Sequence, residues 1–124
     1  MEDTLSQSSK LYEKARRTMN EGRLEDAVML FQQSISHSPH FKTLELLGEC
    51  FVRLNRLPEA IVPLAAASTL NIGVRAPSLL AEVFLRLVDY PAARDMAEIA
   101  LDRDANNRKA QKVIRVVAEI LREA

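Results

Sequence analysis

Apolar residues recur along this chain at helical spacing, and the helical pattern itself recurs. Leu11, Ala15 and Met19 lie a turn apart between Leu5 and Glu21, as do Ala27, Leu30, Phe31 and Ile35 between Glu25 and His37. The same spacing predicts helices over Lys42–Leu54, Pro58–Leu70, Pro77–Leu87, Pro91–Asp104 and Arg108–Arg122. Boundary signals agree. Thr4 and Gln7 form a capping box, Gly22 closes the first helix and Pro39 stops the second. Proline opens three helices, where its missing N–H has no intrahelical partner to lose, and Asn107 caps the last. No alternating strand pattern is present in the sequence, so the expected class is all-α.

The pattern repeats with a step of 33 residues: Ala27, Ala60 and Ala93 match, as do Leu24, Leu57 and Tyr90. Phe31, Leu64 and Ala97 match in the same way, then Ser34, Ala67 and Ala100, and upstream Ala15, Gly48 and Ala81. A fixed period of this length means one supersecondary unit stacked on copies of itself. The expected organisation is a single domain, 1–124, of three helix–turn–helix units at about 8–40, 41–73 and 74–107, followed by a covering helix at 108–122. Small residues midway along the first helices and near the start of the second let paired backbones approach closely. Phe31, Phe51 and Phe84 fill the space beside them.

Composition narrows the class. With 17 basic and 17 acidic residues the net charge is zero, which argues against nucleic acid or an anionic membrane as the main partner. The longest uncharged run, Ala60 to Val74, is interrupted by Pro63, Asn71 and Gly73 and is too short to span a bilayer. A single cysteine suits a reducing compartment, and the N-terminal residues lack the basic and apolar regions of a signal peptide, so a cytoplasmic location is expected.

Leu44-x-x-Leu47-Gly48-x-x-Phe51 followed by Leu57-x-x-Ala60 resembles the tetratricopeptide repeat. So does Gly22-x-Leu24-x-x-Ala27-x-x-x-Phe31-x-x-Ser34 ending in Pro39. The resemblance runs from about Ser8 to Asn107. It implies a right-handed superhelical solenoid whose concave face, lined by first helices, grips peptides or partner helices. The last helix then resembles the solvating helix of that family. Departures are the period itself (the family's is about 34), Lys14 in the slot of Leu47 and Leu80, and Asn55 and Val88 in that of Gly22. Ile72 and Ala105 replace the closing proline.

Catalysis finds little support in the residues. Cys50 shares a helix face with Leu47, Phe51 and Leu54 and is expected to be a packed thiol. His37 and His40 are the only histidines and have no further metal-ligating Cys or His near them, so neither a metal nor another cofactor is expected. The expectation is a non-catalytic protein.

Two surfaces stand out instead. Leu46, Glu49, Val52 and Arg53 repeat in register as Leu79, Glu82, Leu85 and Arg86, which suggests an apolar floor rimmed by charge, with Arg75 beside it and Tyr12 and Arg16 closing one end. Glu49–Arg53 and Glu82–Arg86 have the spacing of i,i+4 pairs. Packing between successive first helices would produce the same pattern, leaving open whether Leu46 and Leu79 are floor or core. Members of the family that bind acidic chaperone tails use Lys and Asn at the positions of Tyr12, Arg16, Leu46, Arg75 and Leu79; only Arg75 fits in kind, which argues against that ligand. The second surface is an apolar strip on the convex side, Leu30, Val62, Pro63, Ala66 and Met96, where Pro63 predicts a kink. Val113, Val116 and Ile120 give the last helix an apolar face wider than a cap requires. The leading expectation is an adaptor or chaperone-like module binding a peptide or amphipathic helix of another protein in the concave groove. The alternative is a homo-oligomer built through the convex strip or last helix.

Overall fold

The computed structural model describes residues 3–123. Met1, Glu2 and Ala124, the ends of the expected domain, lie outside the described residues. Seven helices follow in order among the described residues: α1 (Thr4–Asn20), α2 (Leu24–His37), α3 (Phe41–Arg53), α4 (Leu57–Leu70), α5 (Arg75–Arg86), α6 (Tyr90–Arg103) and α7 (Arg108–Glu123). They form three helical hairpins, α1/α2, α3/α4 and α5/α6, each packed on the next, with α7 lying against α5 and α6. The fold is an all-α repeat solenoid.

Several boundaries differ from the sequence expectation for local reasons. Asp3, not Thr4, caps α1, its carboxylate accepting from Ser6 N at 2.7 Å. A histidine caps α3: His40 Nδ1 accepts from Lys42 N at 3.2 Å. Helix α5 begins at Arg75, two residues before Pro77. The proline is then the third helical residue, still within the first turn, where no backbone N–H has an intrahelical acceptor. Helix α4 runs unbroken through Pro63.

All three hairpins use one turn, whatever residue fills it. Gly22, Asn55 and Val88 have φ of 83°, 59° and 64°. Behind each, the next N–H reaches back five residues: Arg23 N to Thr18 O, Arg56 N to Phe51 O and Asp89 N to Phe84 O. This is the Schellman closure, which satisfies carbonyls left over at a helix end. The turns between hairpins are equally regular. Ser38, Asn71 and Asp104 are extended residues whose N–H groups donate to Ser34, Ala67 and Ala100, so the replacement of Pro39 by Ile72 and Ala105 leaves the geometry intact. From α6, Arg103 donates to the carbonyls of Ser68, Asn71 and Gly73 at 3.0–3.1 Å and holds the α4–α5 turn.

The small-residue rows lie where the hairpins close. Ala15, Ala27, Ala60, Ala67, Ala81, Ala93, Ala97 and Ala100 are fully buried. At Gly48 the fit is tightest, since a Cβ there would come 2.5 Å from Leu64. Leu64, Phe31 and Val83 are the large side chains sealed beside these rows. Ser34 is tolerated in a row otherwise of alanines because Ser8 satisfies it. Ser34 Oγ donates to Ser8 O at 2.8 Å, and Ser8 Oγ lies 3.0 Å from Ser34 O and 3.1 Å from Ser38 O.

First helices approach one another across repeats, α3 on α5 and α5 on α7, whereas α2, α4 and α6 do not pack on one another to that extent. The stack therefore curves with α1, α3, α5 and α7 on its inner side.

Candidate functional site

The inner face takes one line of residues from each first helix. From α1 come Tyr12 and Arg16. The Tyr12 ring tilts against Phe31, with centroids 6.2 Å apart, and the Arg16 guanidinium sits 5.8 Å from its centre. Burial raises the phenol's pKa above its ordinary value; Arg16 opposes this, while Glu13 and Glu45 add to it. From α3 come Lys42, Glu45, Leu46, Glu49, Val52 and Arg53, and from α5 Arg75, Leu79, Glu82, Leu85 and Arg86.

Arg16 pairs within its own helix, 3.9 Å from Glu13, but from α3 onward the carboxylates Glu49 and Glu82 pair with cations beyond their own repeat. Arg75 donates to Glu49 at 2.7 Å, and Lys109 of α7 donates to Glu82 at 2.8 Å. Arg86 reaches back to Asn55 Oδ1 at 3.1 Å. The i,i+4 pairs Glu49–Arg53 and Glu82–Arg86 expected from spacing are thus replaced, because each carboxylate meets a cation on the next first helix at shorter range. Period 33 carries the signal for one of them, since Lys42 and Arg75 are register mates at the start of a first helix. Lys109 had no such cue.

The two candidate floor leucines separate. Leu46 is half-buried, packed on the edge of the main core, while Leu79 is only 9% exposed and belongs to that core. Leu79 must therefore be corrected from floor to packing. The cause is its helix: α5 has first-helix neighbours on both sides, α3 and α7, whereas α1 and α3 stand further apart and leave Leu46 partly open. Val52 and Leu85 are also half-buried, at the margins of the two larger core clusters. An open apolar row of Leu46, Val52 and Leu85 remains, rimmed by exposed Arg53 and Arg86.

Where α1 meets the start of α3, the inner face deepens into a cleft of about 330 Å³ lined by Ser9, Tyr12, Glu13, His40, Lys42 and Thr43, with exposed Leu5 at its lip. His40 and Thr43 were not singled out from sequence. Both owe their position to the way the α2–α3 turn folds under α1.

The convex strip does not form as expected. Pro63 is buried, and Leu30 and Met96 are half-buried against the main core, because these positions face the neighbouring repeat and not solvent. Ala66 leans on Leu44, Ala67 and Ala76. Val62 alone of that set is open, 75% exposed, with its register mate Met29 also exposed. On α7, Val113 and Val117 are buried, Val116 and Ile120 half-buried and Leu121 exposed.

Cys50 is buried with its pKa pushed up to about 11, first by burial and then by Glu49, against the pull of Arg53. Such a thiol is protonated near neutrality and is a poor nucleophile. His37 and His40 stand apart from it, and the described residues contain no group of three or more His, Cys, Asp or Glu poised to hold a metal. No helix among the described residues is long and apolar enough to cross a membrane.

No family model matches the sequence, and no curated protein matches it either. Solved structures do. The first TPR domain of Spaghetti (RPAP3), bound to the HSP90 peptide SRMEEVD, superposes with a TM-score of 0.87 at 19% identity over 94% of both chains. An Arabidopsis OM64 TPR domain gives 0.86 at 17% identity over 94% of this chain and 98% of that one. The Yersinia enterocolitica type III secretion chaperone SycD, in complex with a peptide of the translocator YopD, gives 0.83 at 19% identity over 94% of both. The chain therefore has the tetratricopeptide-repeat fold.

Proposed function

We propose that this protein is a non-catalytic interaction module that takes a segment of another protein, a peptide or an amphipathic helix, along its inner face, as an adaptor or chaperone-like protein of the cytoplasm. The observation that carries this is the open row of Leu46, Val52 and Leu85 beside an ion-pair ladder. Glu49 and Glu82 are satisfied within the protein by Arg75 and Lys109, so the ladder stiffens the groove, while exposed Arg53 and Arg86, the latter bonded to Asn55 and to no carboxylate, are placed to orient a ligand. Peptide complexes of similarly folded domains, one with an HSP90 peptide and one with a YopD peptide, support the same use of the fold. An acidic tail is disfavoured as the ligand here, since Tyr12, Leu46 and Leu79 supply no cation where the tail-binding members of the family carry donors.

The test is selection from a displayed random peptide library. Peptides enriched on the protein should lose binding to a Leu46→Asp/Val52→Asp variant that still melts cooperatively. Arg53→Glu/Arg86→Glu should weaken them most at low salt, because rim charges act over a screening length of about 8–10 Å. Peptides that bind all variants equally would move the interface off the inner face.

The second reading, self-association, rests on exposed Met29, Val62 and Leu121. It requires sedimentation to show a concentration-dependent mass that Val62→Lys or Leu121→Lys abolishes.

A further inference from the structure

Glu45 stands out among the charged side chains of the inner face. It is 4% exposed, yet among the described residues no donor or cation pairs with it, while Glu49 and Glu82 each hold one. Its carboxylate is not sealed off, because no buried side-chain oxygen among the described residues lacks a partner. The oxygens of Glu45 therefore keep a narrow opening to solvent. The neighbours of Glu45 along the same side of α3 belong to the inner face: Lys42, one turn earlier, lines the cleft, and Glu49, one turn later, meets Arg75 across the groove. Tyr12 faces it from α1 closely enough for the carboxylate to raise the phenol's pKa.

Among the described residues, neither Arg16 nor Lys42, the inner-face cations at this end, forms an ion pair with Glu45. Arg16 sits over Tyr12 and within 3.9 Å of Glu13. Lys42 turns into the cleft without pairing to Glu45. In the register of the ladder, the residue matching Glu49 and Glu82 in the first repeat is Arg16, so the pattern of pairing is broken at this one end. Drawing a carboxylate away from water without a cation is unfavourable, and a cation brought to it offsets that cost.

We propose that Glu45 is the anchor for a basic side chain, Lys or Arg, carried by the partner segment. This rests on the groove reading above and specifies its ligand: one basic residue flanked by apolar residues that lie on Leu46 and Val52. The alkyl stem of the basic residue runs past the Tyr12 ring, leaving only its charged head at the carboxylate.

Two measurements decide it. In the library selection, peptides enriched on the full chain should carry Lys or Arg at one aligned position about tenfold above the input frequency, equivalent to about 1.4 kcal/mol of preference. Glu45→Gln should return that position to the input frequency, and Glu45→Lys should select Asp or Glu there. Peptides that lose binding to Leu46→Asp/Val52→Asp but show no basic preference, or keep it on Glu45→Gln, overturn the anchor and leave the groove standing. Peptides indifferent to Leu46→Asp/Val52→Asp, or none enriched over a surface without protein, overturn both. Independently of any ligand, Glu45→Gln should hold or raise the melting temperature of the free protein. A fall would mean that the charge is satisfied within the chain, and would overturn the proposal.

Discussion

Val88 occupies the left-handed region at φ 64°, a conformation that a β-branched side chain enters only under strain. Its side chain is largely exposed, so little packing is gained in return. Val88→Gly should therefore stabilise the protein by about 1–2 kcal/mol, read as a shift of the denaturant midpoint at unchanged slope. Gly22→Ala is the mirror test. Nothing lies within 4 Å of a Cβ at that site, so its loss of about 1 kcal/mol would come from the backbone alone. Cys50 adds a pH dependence. Its folded pKa is about 11, above the ordinary 9.0, so above pH 9 the unfolded chain releases a proton that the folded one retains. Stability should fall as pH rises from about 9 to about 11. Cys50→Ala, though less stable at neutral pH through the space it leaves, should lack that part of the decline.

Between elements, α3 and α4 meet closely at Gly48, where an added Cβ would collide with Leu64. Gly48→Ala should be destabilising by about 1–3 kcal/mol less the helix propensity gained, because Leu64 is fully buried and both its Cγ and Cδ2 would lie 2.5 Å from the new Cβ. The third repeat already carries the alternative solution, Ala81 opposite Ala97. Gly48→Ala combined with Leu64→Ala should therefore cost measurably less than the sum of the two singles, and strict additivity in urea melts would contradict the contact. Helix α7 makes a different case. It covers the third repeat through Ala110, Val113 and Val117, which pack with Ala97 and Ala100. Truncation after Asn107 should expose that surface, lower the melting temperature and bring on self-association visible by light scattering.

At the scale of the whole stack, curvature decides which inner residues are covered. Leu79→Ala should cost about 2–5 kcal/mol, as for any core leucine. Leu46→Ala should cost well under half as much, since its side chain is partly in water already. Equal losses would mean that α1 and α3 stand as close as α3 and α5. The same uneven spacing leaves an opening at the first-repeat end, beside Glu45 and the cleft, and places the proposed ligand contacts there.

The helices, their pairing and the repeat were legible in the sequence because they rest on short-range causes. Apolar spacing selects helices, alanine and glycine rows mark where backbones meet, and a step of 33 says that the unit stacks. The composition of the inner face was legible for the same reason, with Leu46, Glu49, Arg53 and their register mates on one side of each helix. What helical spacing alone did not reveal was the relation between helices of different repeats. Identical positions, Leu46 and Leu79, differ in burial because one helix has two inner neighbours and the other a gap. Glu49 and Glu82 exchange their same-helix arginines for Arg75 and Lys109, 26 and 27 residues away. Pro63, expected on the outside, is buried by the adjoining repeat. Only the tertiary structure decided these, because a side chain's cover and its charge partner depend on distances between helices, and those distances are set by the packing of many residues at once.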